Sequence, residues 1–149
     1  MEAHRLGSCK RIKILVDTNF LILLATGIIA PSLIDKAVDY SYELLVPESV
    51  FEELVKLTRE APRGKTRKTA SRALEFLEAG EIAYKRIPSE TMNPDDDLIM
   101  IAREMRASGC RVLIASNDRE LRRRARQAGI ATLYYRENKG ILETDWAPL

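Results

Sequence analysis

The feature that most constrains this chain is a repeated alternation of two patterns. Short apolar runs, each too brief for a buried helix, are followed by longer segments with apolar residues at helical spacing. Residues 12–16, 44–46, 82–87, 111–115 and 131–135 read as strands. Helical patterns cover residues 18–25, 31–42, 47–58, 66–79, 94–107 and 118–128. Pro31, Pro47 and Pro94 suit helix starts, and Gly27, Gly80, Gly109 and Gly129 suit helix ends. Residues 59–65, with Pro62 and Gly64, read as a loop, and residues 136–149 carry no clear pattern. Strands alternating with helices predict an α/β fold with a central parallel β-sheet flanked by helices. Strands that are apolar almost throughout predict a sheet covered on both faces. At 149 residues, 46% hydrophobic, the chain suits one domain over 1–149, with a core over about 12–135 and terminal extensions over 1–11 and 136–149.

Composition removes several kinds of chemistry. His4 is the only histidine and stands in the N-terminal extension, so Ser-His-Asp and Cys-His catalysis and histidine-based zinc sites are excluded. Cys9 and Cys110 have no metal-ligand spacing; two idle thiols is the simplest reading, and a disulfide is the alternative that a hyperthermophilic source allows. Charged residues reach 31% while Gln127 is the only glutamine, a composition that leans toward a thermophile. No secretion signal and no membrane-length apolar run is present, so a cytoplasmic location and no membrane contact are expected. The net charge is only +2, so local patches must carry any nucleic-acid contact.

Acids then stand out by position. In a parallel sheet the carboxyl ends of strands and the starts of the following helices share one edge, where sites form. Asp17 directly follows the first strand, and Asp118 comes three residues after Ala115. Glu53 lies in the second turn of the helix after Pro47, and Asp97 in the first turns of the helix after Pro94. Each also has a plain structural reading, as a helix cap, a partner of the helix dipole or a solvated residue. At 3.6 residues per turn, Glu53 borders the apolar arc of Val50, Phe51, Leu54, Val55 and Leu57, whereas Glu52 faces solvent. Glu48 borders the other side of that arc, so helical geometry leaves it open. Asp97 flanks the arc of Leu98, Ile99, Ile101, Ala102 and Met105, with Asp96 further from its edge; one or two of Asp95, Asp96 and Asp97 are expected to serve only the dipole. Carboxylates crowded at one edge repel each other, and a divalent cation relieves the conflict. Oxygen donors select Mg²⁺ or Mn²⁺, one or two ions, the apparatus for phosphodiester hydrolysis.

Four segments resemble the motifs of PIN (PilT N-terminus) domain nucleases. Ile14-Leu-Val-Asp-Thr-Asn-Phe-Leu resembles the first, Pro47-Glu-Ser-Val-Phe-Glu-Glu-Leu the second, Asp96-Asp-Leu-Ile-Met-Ile-Ala the third and Ile114-Ala-Ser-Asn-Asp-Arg-Glu-Leu the fourth. The resemblance spans about residues 12–135 and maps the catalytic, metal-holding acids to Asp17, Glu53, Asp97 and Asp118, with Asn19, Asp96, Ser116 and Asn117 beside them. It implies a three-layer PIN-like fold, RNA cleavage with Mg²⁺ or Mn²⁺, and frequent homodimers. The paired aspartates and the arginine-rich helix look most like the Fcf1-type ribosomal RNA processing branch, with a ribosome-assembly partner. VapC toxins, held by an antitoxin, share the same core. Phosphate contacts need cations: Arg119, Arg122 and Arg123 follow the fourth acid, and Arg63, Lys65, Arg67 and Lys68 form a second basic segment, although such runs also occur as solvated or ion-paired faces. Tyr134 and Tyr135 suit packing in the last strand or stacking on bases.

Rival readings fare worse. A haloacid-dehalogenase phosphatase needs a second Asp two residues after Asp17, where Asn19 stands, and no strand ends as a response-regulator receiver requires. A non-catalytic RNA-binding module is the rival from another class; the presence of every expected acid favours an enzyme over it.

Overall fold

The computed structural model describes residues 9–145, so His4 and the outer parts of both extensions lie outside the described residues. Six strands form one sheet: β1 (Ile12–Val16), β2 (Tyr42–Pro47), β3 (Lys85–Ile87), β4 (Val112–Ala115), β5 (Ala131–Arg136) and β6 (Ile141–Asp145), in the order β3-β2-β1-β4-β5-β6. The helices are α1 (Thr18–Ala25), α2 (Ser32–Ala37), α3 (Glu48–Glu60), α4 (Lys65–Glu78), α5 (Pro94–Ala107) and α6 (Arg119–Gln127).

The expected parallel sheet holds for β1 to β5. It needs correction at one edge, where β6 runs antiparallel to β5. Leu142 is the only buried residue of β6, so the strand leaves no alternating apolar signal in the sequence. Two boundaries also differ. The helix expected over 31–42 stops at Ala37, because Val38 is extended (φ −117°, ψ 110°) and the chain is already in β2 at Tyr42. The strand expected over 82–87 forms only at Lys85–Ile87.

Alternation along β1 builds the two cores. Ile12, Ile14 and Val16 pack with Phe20, Leu24, Ile34, Leu54, Ala73 and Phe76 of α1 to α4 on one face. Leu15 joins Leu98, Ile101, Met105, Leu121 and Ala125 of α5 and α6 on the other. Lys13, on the second face, is 2% exposed, and its Nζ donates to Glu43 Oε1 at 2.6 Å, which satisfies a charge in the middle of the sheet. The chain steps from β1 to β2 to β3 with its helices on one face. It then crosses back to β4 and β5 with its helices on the other, as right-handed crossovers require when the direction of travel reverses. That reversal leaves a crevice beyond the carboxyl ends of β1 and β4.

The reading of Cys9 and Cys110 as idle thiols is corrected as well. β1 and β4 are neighbours, with Lys13 opposite Val112, so the residues leading into both strands lie side by side. Cys9 and Cys110 are joined in a disulfide, with Cα atoms 5.0 Å apart at a sequence separation of 101. No helix among the described residues is long and apolar enough to cross a membrane. Thiol titration of the unreduced, denatured protein is expected to find no free thiol, and reduction to expose two and to lower stability by on the order of 4 kcal/mol for so long a loop. Two thiols titrating before reduction would refute the pairing.

Candidate active site

The crevice at the reversal point has a volume of about 470 Å³. Asp17, Glu53, Asp95 and Asp118 line it with Thr18, Asn19, Asn93, Pro94 and Asn117, and no lysine or arginine among the described residues lines it. Three of the four expected acids therefore meet there, and the fourth position is held by Asp95 instead of Asp97.

Asp17 leaves β1 and caps α1, its Oδ1 accepting from the Phe20 N–H at 2.8 Å. It is only 6% exposed. Burial pushes its pKa up to about 6; hydrogen bonds from Ser116 and the Phe20 amide oppose the rise, and the charges of Asp95 and Asp118 add to it. Asp118 leaves β4 and caps α6, its Oδ1 accepting from the Glu120 and Leu121 N–H groups at 2.8 and 3.1 Å. The Asp118 N–H in turn donates to Ser116 Oγ at 3.0 Å. Ser116 is fully buried and touches both aspartates, which locks the ends of two neighbouring strands together.

Asp95 stands in the first turn of α5, which Asn93 caps by accepting from the Asp96 N–H at 3.0 Å. Burial raises its pKa, and Asp118, Asp96 and Glu53 raise it further against the pull of Arg124. Asp97 points elsewhere. It is fully buried, and its Oδ2 accepts from Ser49 Oγ at 2.6 Å while its Oδ1 accepts from the Glu90 and Thr91 N–H groups at 2.6 and 3.2 Å. It thus ties α5 to α3 and to the loop before α5. The helical wheel placed Asp97 at a buried boundary correctly, but that boundary faces the protein and not the crevice. A signal for Asp95 was present: it lies three, four and seven residues before Leu98, Ile99 and Ala102, so it extends the buried stripe by one turn toward the open end of the helix.

The neighbouring residues divide. Asn19 lines the crevice. The Asn117 amide exchanges two hydrogen bonds with the Tyr135 backbone, at 2.7 and 3.0 Å, and so prolongs the β4–β5 pairing by a side chain. Asp96 turns outward to Arg124, with N–O 2.7 Å. Glu48, which helical geometry had left open, pairs with Arg86 on β3 and does not line the crevice.

The expected basic contacts also change. Arg67 donates to the Ala61 and Arg59 carbonyls at the end of α3, a structural cap. Arg122 is held by both oxygens of Asp145 on β6, and Arg123 pairs with Glu120. Arg63, Lys65 and Lys68 are exposed but do not line the crevice. Two grooves flank it instead. One, on the α3 side, shares Glu53 with the crevice and carries Lys56 and Arg59. The other shares Asn117 and carries Arg119, Arg122, Tyr134, Tyr135 and Arg136. The sequence reading missed Lys56 and Arg59, which lie three and six residues beyond Glu53 on the same helix.

Among the described residues the crevice wall offers only oxygen and amide groups, a donor set for a hard divalent ion. The Thr18 hydroxyl, at the wall of the crevice, is buried without a hydrogen-bond partner among the described residues. Among the described residues no three acidic, His or Cys side chains close into a ready-made metal cage.

A family model described as a PIN-like domain matches residues 14–138. Ribonuclease VapC9 of Archaeoglobus fulgidus is 32% identical over 142 residues, which cover 95% of this chain and 96% of the relative. The solved PIN domain endonuclease Utp24 shares the fold, with a TM-score of 0.67 at 21% identity over 97% of this chain and 98% of that one.

Two stability measurements separate the roles of the aspartates. Because the folded pKa of Asp17 lies above its unfolded value, stability of chelator-treated protein is expected to fall as pH rises from about 4 to about 6. Asp17→Asn removes that dependence: the variant should match the parent near pH 4 and exceed it by up to roughly 3 kcal/mol above pH 6 in urea melts. Asp97→Ala leaves Ser49 and two backbone N–H groups unpaired and should cost about 2–4 kcal/mol at neutral pH. A stable Asp97→Ala protein would contradict its assigned place in the fold.

Proposed function

The chain belongs to the PIN-like domain family, and on that footing we propose that it is a divalent-metal-dependent ribonuclease that hydrolyses RNA phosphodiester bonds at the crevice of Asp17, Glu53, Asp95 and Asp118. The observation that carries this reading is the convergence of four carboxylates, without a single cation among them, at the reversal point of the sheet. The full-length likeness to a ribonuclease supports it.

In this reading Asp17, Asp95 and Asp118 hold Mg²⁺ or Mn²⁺, and Glu53 faces them from α3. The bound ion supplies charge to the scissile phosphate and a more acidic water for the attack. The protein's own part is positional. Ser116 and the α1 amide fix the Asp17 carboxylate, and the α6 amides fix one oxygen of Asp118, so its other oxygen remains available. The unpartnered Thr18 hydroxyl and the Asn19 amide offer neutral hydrogen bonds to water or to a phosphate oxygen. The third-motif acid is Asp95, and Asp97 supports the wall behind it.

The biological role has two versions. RNA processing or turnover is the first, and the fold likeness to Utp24 is compatible with it. A VapC-type toxin, its crevice covered by an antitoxin, is the second, and the likeness to VapC9 favours it. Expression in a foreign cell separates them: growth arrest that depends on Asp17 and is reversed by a partner protein speaks for the toxin, and harmless expression for processing.

For the reaction, purified protein should cut RNA with Mg²⁺ or Mn²⁺ and stop in excess chelator. Asp17→Asn and Asp95→Asn should each lower the rate about 100-fold, a loss of roughly 3 kcal/mol of transition-state stabilisation. Glu48→Gln, in an exposed ion pair, should stay near the parent rate. Undiminished cleavage by Asp95→Asn would return the third-motif role to another residue, and cleavage in chelator would end the metal reading.

A further inference from the structure

The groove between α6 and β5 has properties that stability does not account for. It holds about 570 Å³ and meets the acidic crevice at Asn117, which lines both. Arg119 occupies the first position of α6, where the helix dipole disfavours a cation. The other arginines of the helix are all engaged, Arg122 and Arg126 by Asp145, Arg123 by Glu120 and Arg124 by Asp96. Arg119 is exposed and has no carboxylate partner among the described residues. Beside it, the Arg122 guanidinium lies over the Tyr134 ring, 3.6 Å from its centroid. Both members of that stack are held: Arg122 by two bonds to Asp145, and Tyr134 by its hydroxyl donating to Glu143 at 3.1 Å. Arg122 is only 19% exposed, so little side-chain freedom remains to be lost on contact.

From this we infer that the groove seats one unpaired nucleotide of the RNA next to the scissile position, Arg119 taking a phosphate and the Arg122–Tyr134 stack taking the base. The inference rests on the ribonuclease reading and extends it to the form of the substrate. Guanidinium planes and aromatic rings are surfaces on which splayed-out RNA bases stack, whereas bases inside a duplex have both faces covered. The groove on the α3 side sets Lys56 and Arg59 against Glu52, Glu53 and Glu60 and has no aromatic ring among its described lining residues, so it offers neither a basic track nor a stacking surface. The enzyme therefore acts on single-stranded segments, with a base-holding subsite on the β5 side only. An acidic protein segment could meet Arg119, but it would make no use of the stack.

Binding is measured by fluorescence anisotropy on the Asp17→Asn protein, with labelled single-stranded RNA oligonucleotides in which one nucleotide at a time is abasic. One position should lose affinity by about tenfold or more, the worth of one stacked base, and a duplex of the same sequence should bind more weakly. Arg119→Gln, which breaks no ion pair, should weaken binding of every oligonucleotide and reduce the salt slope by about 0.7, one phosphate contact on a single strand. Arg122→Lys keeps the charge but loses the plane; it should leave the salt slope and abolish the abasic penalty. Equal binding of all abasic oligonucleotides, or an unchanged salt slope in Arg119→Gln, overturns the subsite. Failure of the protein to bind any RNA overturns the ribonuclease reading beneath it, a separate result.

Discussion

The reversal of the chain at β1 is the constraint on which the rest depends. Because β2 and β3 are added on one side of β1, and β4 and β5 on the other, right-handed crossovers send the two sets of helices to opposite faces. No crossover can then cover the space beyond the ends of β1 and β4. Asp17 and Asp118 leave those two strands directly, and Glu53 and Asp95 stand in helices that begin at the same edge. The fold tolerates this crowd of acids without a cation in the crevice because the helices aim their N-termini at it. Asp17 and Asp118 are caps that accept backbone N–H bonds, and Asp95 lies in the first turn of α5, all positions where partial positive charge favours a carboxylate. What remains uncompensated appears as the raised pKa values of Asp17 and Asp95.

Much of this was legible in the sequence. Strand and helix order, the shared edge and the places of Asp17 and Asp118 follow from apolar periodicity and the position of each acid after a strand, while Glu53 is separated from Glu48 only by the resemblance to the second PIN motif. The placement of Asp95 in the crevice wall and of Asp97 behind it shows where that reading stops. A helical wheel reports how close a residue lies to the buried face, but a helix beside a crevice has two kinds of buried neighbour, protein and cavity. Asp97 is the more buried, and for that reason it is consumed by Ser49 and the Glu90–Thr91 backbone. The residue at the open end of the same stripe, Asp95, presents its carboxyl group to the crevice.

The arginines of α6 illustrate a second limit. Read as a run, they look like a nucleic-acid face. In the fold, Arg122 and Arg126 close on Asp145, which also accepts from Thr132 Oγ1 at 2.7 Å, so they fasten β6 to the sheet. That acid was invisible as a partner because β6, with one buried residue, has no strand signature. Local sequence cannot distinguish a free cation from one whose carboxylate arrives through an unpredicted strand. The Cys9–Cys110 pair is the same case, brought together only by the β1–β4 neighbourhood.

Three features of the finished structure break local rules, and all lie in or beside one crevice. Among the described residues, Asp17 is a carboxylate buried without a cation, the Thr18 hydroxyl is buried without a partner, and Arg119 is a cation without a carboxylate at the positive end of a helix. Each disfavours the folded protein on its own, and positions where sequence and stability disagree are where function is expected. The signs of the mismatches are informative. The carboxylates lack a cation, and the arginine next to them lacks an anion. A metal ion alone would answer only the first, and an RNA phosphate alone only the second. In the proposed reading Asp17, Asp95 and Asp118 would hold a cation while Arg119 would take a phosphate, which together answer both. The unmet charges of crevice and groove are thus opposite in sign and adjacent, the pairing that the proposed ribonuclease reading would use.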